Sequence, residues 1–172
     1  MIYRFRVILD AKEDVFRDIE MLHDSTLEDL HNTIVQSFGF DGTEMASFYI
    51  SDEEWNQGEE IHQFDMSGND TSIKLMNETK LDSILSEKET KLIYVYDFLK
   101  MWTFFVELAQ IAEAEEGTDY PNLMYVHGQI PDDAPEKEIT GENEDGSPDD
   151  DGFDDSYGTD GYDDFEFDEN WN

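Results

Sequence analysis

The sequence predicts an α+β fold, a mostly antiparallel sheet with one main amphipathic helix on a face, followed by a disordered acidic tail. Three observations carry this. Residues 2–9 alternate with a period of two, Tyr3, Phe5, Val7 and Leu9 on one side and Ile2, Arg4, Arg6 and Ile8 on the other, as a half-buried strand requires. Leu27, Leu30, Ile34 and Phe38 recur at helical spacing behind a capping signal and ahead of Gly39. Beyond residue 131 the composition shifts: residues 132–172 hold 18 acids against one base, Lys137, a net of −17. We therefore divide the chain into a folded domain over 1–131 and a tail over 132–172.

The elements follow in order. After the first strand, Ala11 to Asp14 form a connection and Val15 to Met21 a second strand. Ser25-Thr26-Leu27-Glu28 reads as a capping box, Ser25 accepting from the amide of Glu28 while Glu28 reaches back, so that a helix covers 26–38. Met45 to Ser51 reads as a strand, Asp52 to Glu60 as a loop and Ile61 to Met66 as a returning strand. Leu81 to Leu85 suits a short helix. Lys91 to Phe98 and Trp102 to Leu108 are rich in aromatic and β-branched residues on both faces, the mark of central strands. Tyr120 to Pro131 reads as an ordered, largely non-regular segment laid over the core, with order ending near Asp132.

Composition narrows the partners. The chain of 172 residues carries a formal charge of −35, of which residues 1–131, with 27 acids and nine bases, contribute −18. Affinity for phosphate backbones and anionic membranes rests on Lys and Arg, so neither direct nucleic-acid binding nor membrane binding is expected. Basic proteins, or cationic grooves of nucleic-acid-handling complexes, fit better. With no cysteine there is no disulfide framework and no thiolate chemistry. The N-terminus alternates like a strand instead of carrying a signal peptide, and no apolar run reaches spanning length, which predicts a cytoplasmic protein.

Several segments resemble a known family. Thr26-Leu27-Glu28-Asp29-Leu30-His31 with Ser37-Phe38-Gly39-Phe40 resembles the "TLEDLHxxIQxAFGW" helix of the plasmid pRi ORF-three-like proteins. The opening RFRVIL and the following VFRDIEM are similar to that family's first two strands. Leu81 to Leu85 is similar to its short "L-x-x-L" element, and Tyr94 to Phe98 to its "YxYDFGDxW" strand. The resemblance covers roughly residues 2–133 and implies an α+β fold with no assigned biochemical activity. The chain departs from the family pattern after Phe98, where Leu99-Lys100-Met101 replaces Gly-Asp before Trp102.

A search for chemistry yields no catalytic residue, no metal site and no cofactor. The four histidines, His23, His31, His62 and His127, fall in no ligand spacing, and no phosphate-binding glycine pattern or nucleophile elbow occurs. His31 is read as a structural residue at the edge of the helix–sheet contact. Asp97, ending an apolar strand, is read as an acceptor of backbone amides in the turn to Trp102. Trp102, Phe104 and Phe105 are read as core. A calcium loop aligned from Ser147 places Gly158 where a bidentate Glu is needed.

The functional expectation therefore rests on the tail. Phe153, Tyr157, Tyr162, Phe165, Phe167 and Trp171 punctuate it, with Asp163, Asp164, Glu166 and Asp168 among them. Such a segment buries too little apolar surface to fold alone, yet its carboxylates can imitate a phosphate backbone and its aromatics can fill apolar gaps or base-stacking sites. This predicts a non-enzymatic interaction module whose tail docks on a basic surface or nucleic-acid-binding groove, as in a polymerase, ribosome or DNA-packaging protein. Two alternatives are a nucleic-acid-associated mobile-element accessory protein, with a basic cluster of Arg4, Arg6, Arg17 and Lys12, and an enzyme with an unrecognised site.

Overall fold

A computed structural model describes residues 1–135 except 66, 67 and 69–71. The chain divides into two units, Met1–Ala134 and Pro135–Asn172. The first contains eight strands in one sheet: β1 (Ile2–Leu9), β2 (Phe16–Leu22), β3 (Ala46–Ser51), β4 (Gln57–His62), β5 (Lys74–Leu75), β6 (Lys91–Tyr96), β7 (Trp102–Ala112) and β8 (Asn122–His127). Their order across the sheet is β5-β4-β3-β6-β7-β1-β2-β8. All neighbours are antiparallel except β4 and β5, so the sheet is mixed but mostly antiparallel. Among the described residues, helix α1 (Leu27–Phe38) and the single turn α2 (Leu81–Ile84) are its α-helical elements, with a 3₁₀ turn at Met76–Glu78 between β5 and α2.

The alternation in β1 sets the two faces of the sheet. Phe5 pairs with Ile19 and Leu108, and Val7 with Val106, placing these side chains together on one face. Tyr94, paired with Phe48 and Phe104, carries that face across β6 and β3. Leu27, Leu30, Ile34 and Phe38 of α1 join the same core and are almost completely buried, each worth about 1.5–3 kcal/mol of transfer free energy. Phe38 packs on Phe104 with ring centres 4.7 Å apart.

Local chemistry explains the ends of α1. The N-cap is Thr26, whose Oγ1 accepts from the Asp29 amide at 3.1 Å while the Asp29 carboxylate accepts from the Thr26 amide at 3.0 Å. The capping box thus lies one residue beyond the expected Ser25–Glu28 pair. Pairing with the segment before α2 fixes this register: Thr26 bridges Lys80, the Leu27 amide donates to Thr79, and the Leu81 amide donates to Ser25. Gly39 closes the helix at φ 84°, its amide reaching the carbonyls of Val35 and Gln36.

Other boundaries move. β2 begins at Phe16, β4 begins inside the expected loop at Gln57, and β7 runs four residues past Leu108 to Ala112. Met66, the expected end of the returning strand, lies outside the described residues. The largest correction concerns 120–131: Asn122–His127 is regular, an eighth strand on the free edge of β2. Past it, Ile130 and Ala134 pack against the core, so ordered packing continues beyond residue 131.

Candidate interaction surface

The sheet face opposite α1 carries the arginines of β1. Arg4 Nε donates to Glu20 Oε2 at 2.7 Å and its Nη1 to Gln110 at 2.6 Å. Arg6 makes a bidentate pair with Asp18, at 2.8 and 2.9 Å, and lies 4.1 Å over the Phe16 ring. Glu20 is well buried, which opposes ionisation, but hydrogen bonds from Asn122 and Arg4 hold its carboxyl below the ordinary carboxylate value. Lys91 is similarly engaged by Glu107 at 3.1 Å and Glu53 at 3.4 Å, above the Trp55 ring.

Arg17 does not join Arg4 and Arg6. Paired with Val7, it lies on the helix side of the sheet and is 5% exposed. Its guanidinium donates to the carbonyls of Phe16, Ser37, His127 and Gly128 at 2.9–3.1 Å and stacks 4.5 Å from Phe38. Burial lowers its pKa, and four carbonyl dipoles take the place of water around the cation. It therefore ties the end of β8 to β2 and to the last turn of α1. The basic cluster expected from the sequence thus loses Arg17 to the interior, while Arg4 and Arg6 are neutralised by their own strand neighbours.

His31 is buried beneath α1. Its Nδ1 lies 2.6 Å from the Tyr94 hydroxyl and its Nε2 3.3 Å from the Gln63 amide. Burial pushes the imidazole pKa down and that of the fully buried Tyr94 well up, so both stay neutral. Asp97 accepts from the amides of Leu99 at 3.1 Å and Lys100 at 3.3 Å, the structural role its position suggested. Trp102, Phe104 and Phe105 are buried. Among the described residues no three His, Cys, Asp or Glu are grouped to hold a metal.

Two apolar features face outward. One is the β6–β7 connection, where Phe98, Leu99 and Met101 are exposed and both Asp97 and Met101 take left-handed backbone angles, φ 67° and 60°. The other is β8, where Leu123, Met124, Tyr125 and Val126 are all exposed in succession. Tyr125 and His127 continue the row begun by Phe16, at ring separations of 5.9 and 5.0 Å. The sequence reading missed β8 as a surface. Its signal was available: residues 120–131 contain no Asp, Glu, Lys or Arg in a chain that is 32% charged. The ten tail positions expected to bind a partner, Phe153, Tyr157, Tyr162, Asp163, Asp164, Phe165, Glu166, Phe167, Asp168 and Trp171, lie outside the described residues.

These features define a mostly antiparallel sheet with few helices, a buried apolar core on the α1 side and the β1 arginines paired on the other face. The chain belongs to the plasmid pRiA4b ORF-3-like protein family, whose model matches residues 1–168 and so extends past the 2–133 stretch that carries the resemblance in sequence. It is also similar in fold to a protein of unknown function from Methanosarcina mazei Go1, at 19% identity and a TM-score of 0.66. That match covers 78% of this chain and 74% of the other. No curated protein matches.

Proposed function

We propose that this protein is a non-enzymatic, cytoplasmic interaction module whose acidic, aromatic-punctuated tail docks on a basic surface or nucleic-acid-binding groove of a partner complex. The observation that carries the reading is the tail composition: 18 acids and one base over residues 132–172, interleaved with Phe153, Tyr157, Tyr162, Phe165, Phe167 and Trp171. Carboxylates stand in for phosphates, and the rings supply the apolar contacts that charge alone lacks. The folded domain supports a protein partner over nucleic acid, because Arg4, Arg6, Arg17 and Lys91 are all engaged by the protein's own acceptors. No helix among the described residues is long and apolar enough to cross a membrane.

Co-purification with basic nucleic-acid-handling proteins tests this. Truncation after Pro135, which keeps the core contact of Ala134, should abolish recovery of the partner, and added salt should weaken the complex. Undiminished recovery by the truncated protein would overturn the proposal. Replacing the six tail aromatics with Ser should weaken binding while leaving its salt dependence in place.

A further inference from the structure

We infer that the free edge of β8 is a self-association site, at which a second copy of this chain adds its own β8 antiparallel and continues the sheet across a two-fold axis. This goes beyond the tail reading and rests on different residues. β8 ends the sheet, with β2 on one side and no further described strand on the other. Edge strands expose unpaired backbone donors and acceptors, and soluble proteins commonly guard them with charges. β8 carries none: Leu123, Met124, Tyr125 and Val126 are 45–53% exposed in succession.

Charge selects the occupant. Residues 1–131 carry −18, so on most of the surface a second copy would press carboxylates against carboxylates. The stretch 120–131 has no acidic or basic residue, so two β8 strands can meet there without opposing charges. The register with β2 breaks at Met124 and leaves Tyr125, Val126 and His127 as a straight run. A two-fold centred on Val126 sets each residue of that run against a neutral one. It also extends both faces of the sheet, the Phe16–Tyr125–His127 row on one and Leu123 with Val126 on the other. Arg17 holds this edge in place: its Nε donates to the Ser37 carbonyl and its Nη1 to the carbonyls of Phe16, His127 and Gly128. Gly128 fixes where the strand ends, since a Cβ there would lie 2.5 Å from the Asp14 carbonyl oxygen.

Sedimentation velocity on the full chain tests the inference. A monomer–dimer equilibrium is expected that tightens with added salt, because screening relieves repulsion between two acidic bodies. This is opposite to the salt response of tail docking, so the two readings fail separately. Val126→Glu and Val126→Lys should each weaken dimerisation by more than about tenfold through like-charge opposition. An equimolar mixture of the two should restore a dimer, which also shows that both variants are folded. A wild-type monomer at every concentration in high salt would overturn the proposal. So would a Val126→Glu dimer as tight as wild type, or a mixture that stays monomeric.

Discussion

β1 and β8 belong to one sheet and have comparable apolar content, yet their burial is opposite. In β1, Phe5, Val7 and Leu9 are at most 2% exposed, because β2 and β7 flank the strand and α1 covers its apolar face. In β8, four successive apolar residues are about half exposed, because β2 is the only described strand that flanks it. Apolar residues at the centre therefore stabilise the fold, whereas the same residue types at the edge remain available for contact with another surface. Arg17 links the two regions, bonding to carbonyls at the end of β8 while stacking on Phe38 of the core.

The largest effect should come at the centre. Phe104→Ala opens a cavity between α1 and the sheet and should cost about 3–5 kcal/mol in denaturant unfolding. Arg17→Met comes next: it leaves the carbonyls of Ser37 and His127 without this donor, at about 1.5–3 kcal/mol. Amide hydrogen exchange should then accelerate in β8 before β1; equal acceleration in both would break the distinction between edge and centre. A smaller, pH-dependent contribution comes from His31. Its folded pKa lies below the ordinary 6.5, so the unfolded chain binds more protons between those two values. Its contribution to stability is present above 6.5 and declines as pH falls through that value. Unfolding measured from about pH 8 to about pH 5 should show a shallower acid loss in His31→Gln than in wild type. Tyr125→Ser at the edge should change stability by less than about 0.5 kcal/mol, and a larger loss would mean that β8 supports the core as β1 does.

Periodicity made the centre legible. The strand at 2–9, the helix ending at Gly39 and the central pair containing Tyr94 and Phe104 all stand where alternation and helical spacing placed them. Boundaries were less legible where two local solutions compete. Ser25–Glu28 and Thr26–Asp29 are both valid capping boxes, and the distant segment Thr79–Leu81 selects the second by pairing with Ser25, Thr26 and Leu27. β8 was missed for the same reason: its residues favour a strand, but only the open edge of β2 supplies the partner.

Arg17 shows the limit most clearly. Sequence position grouped it with Arg4 and Arg6, whereas pairing with Val7 turns it to the opposite face. A one-residue change of parity reverses which side a strand residue occupies, so a count from one strand cannot be carried into the next without the register. The surfaces open to a partner depended on that register.

By itself the sequence determined the α+β class, the capped helix, the apolar face of β1 and the acidic, aromatic composition of residues 132–172, since each is written in local spacing or composition. Tertiary structure alone decided which of two capping boxes forms, that Arg17 is buried, and that 122–127 is an exposed edge strand. Those outcomes depend on hydrogen bonds between residues far apart in the chain, which local pattern does not encode.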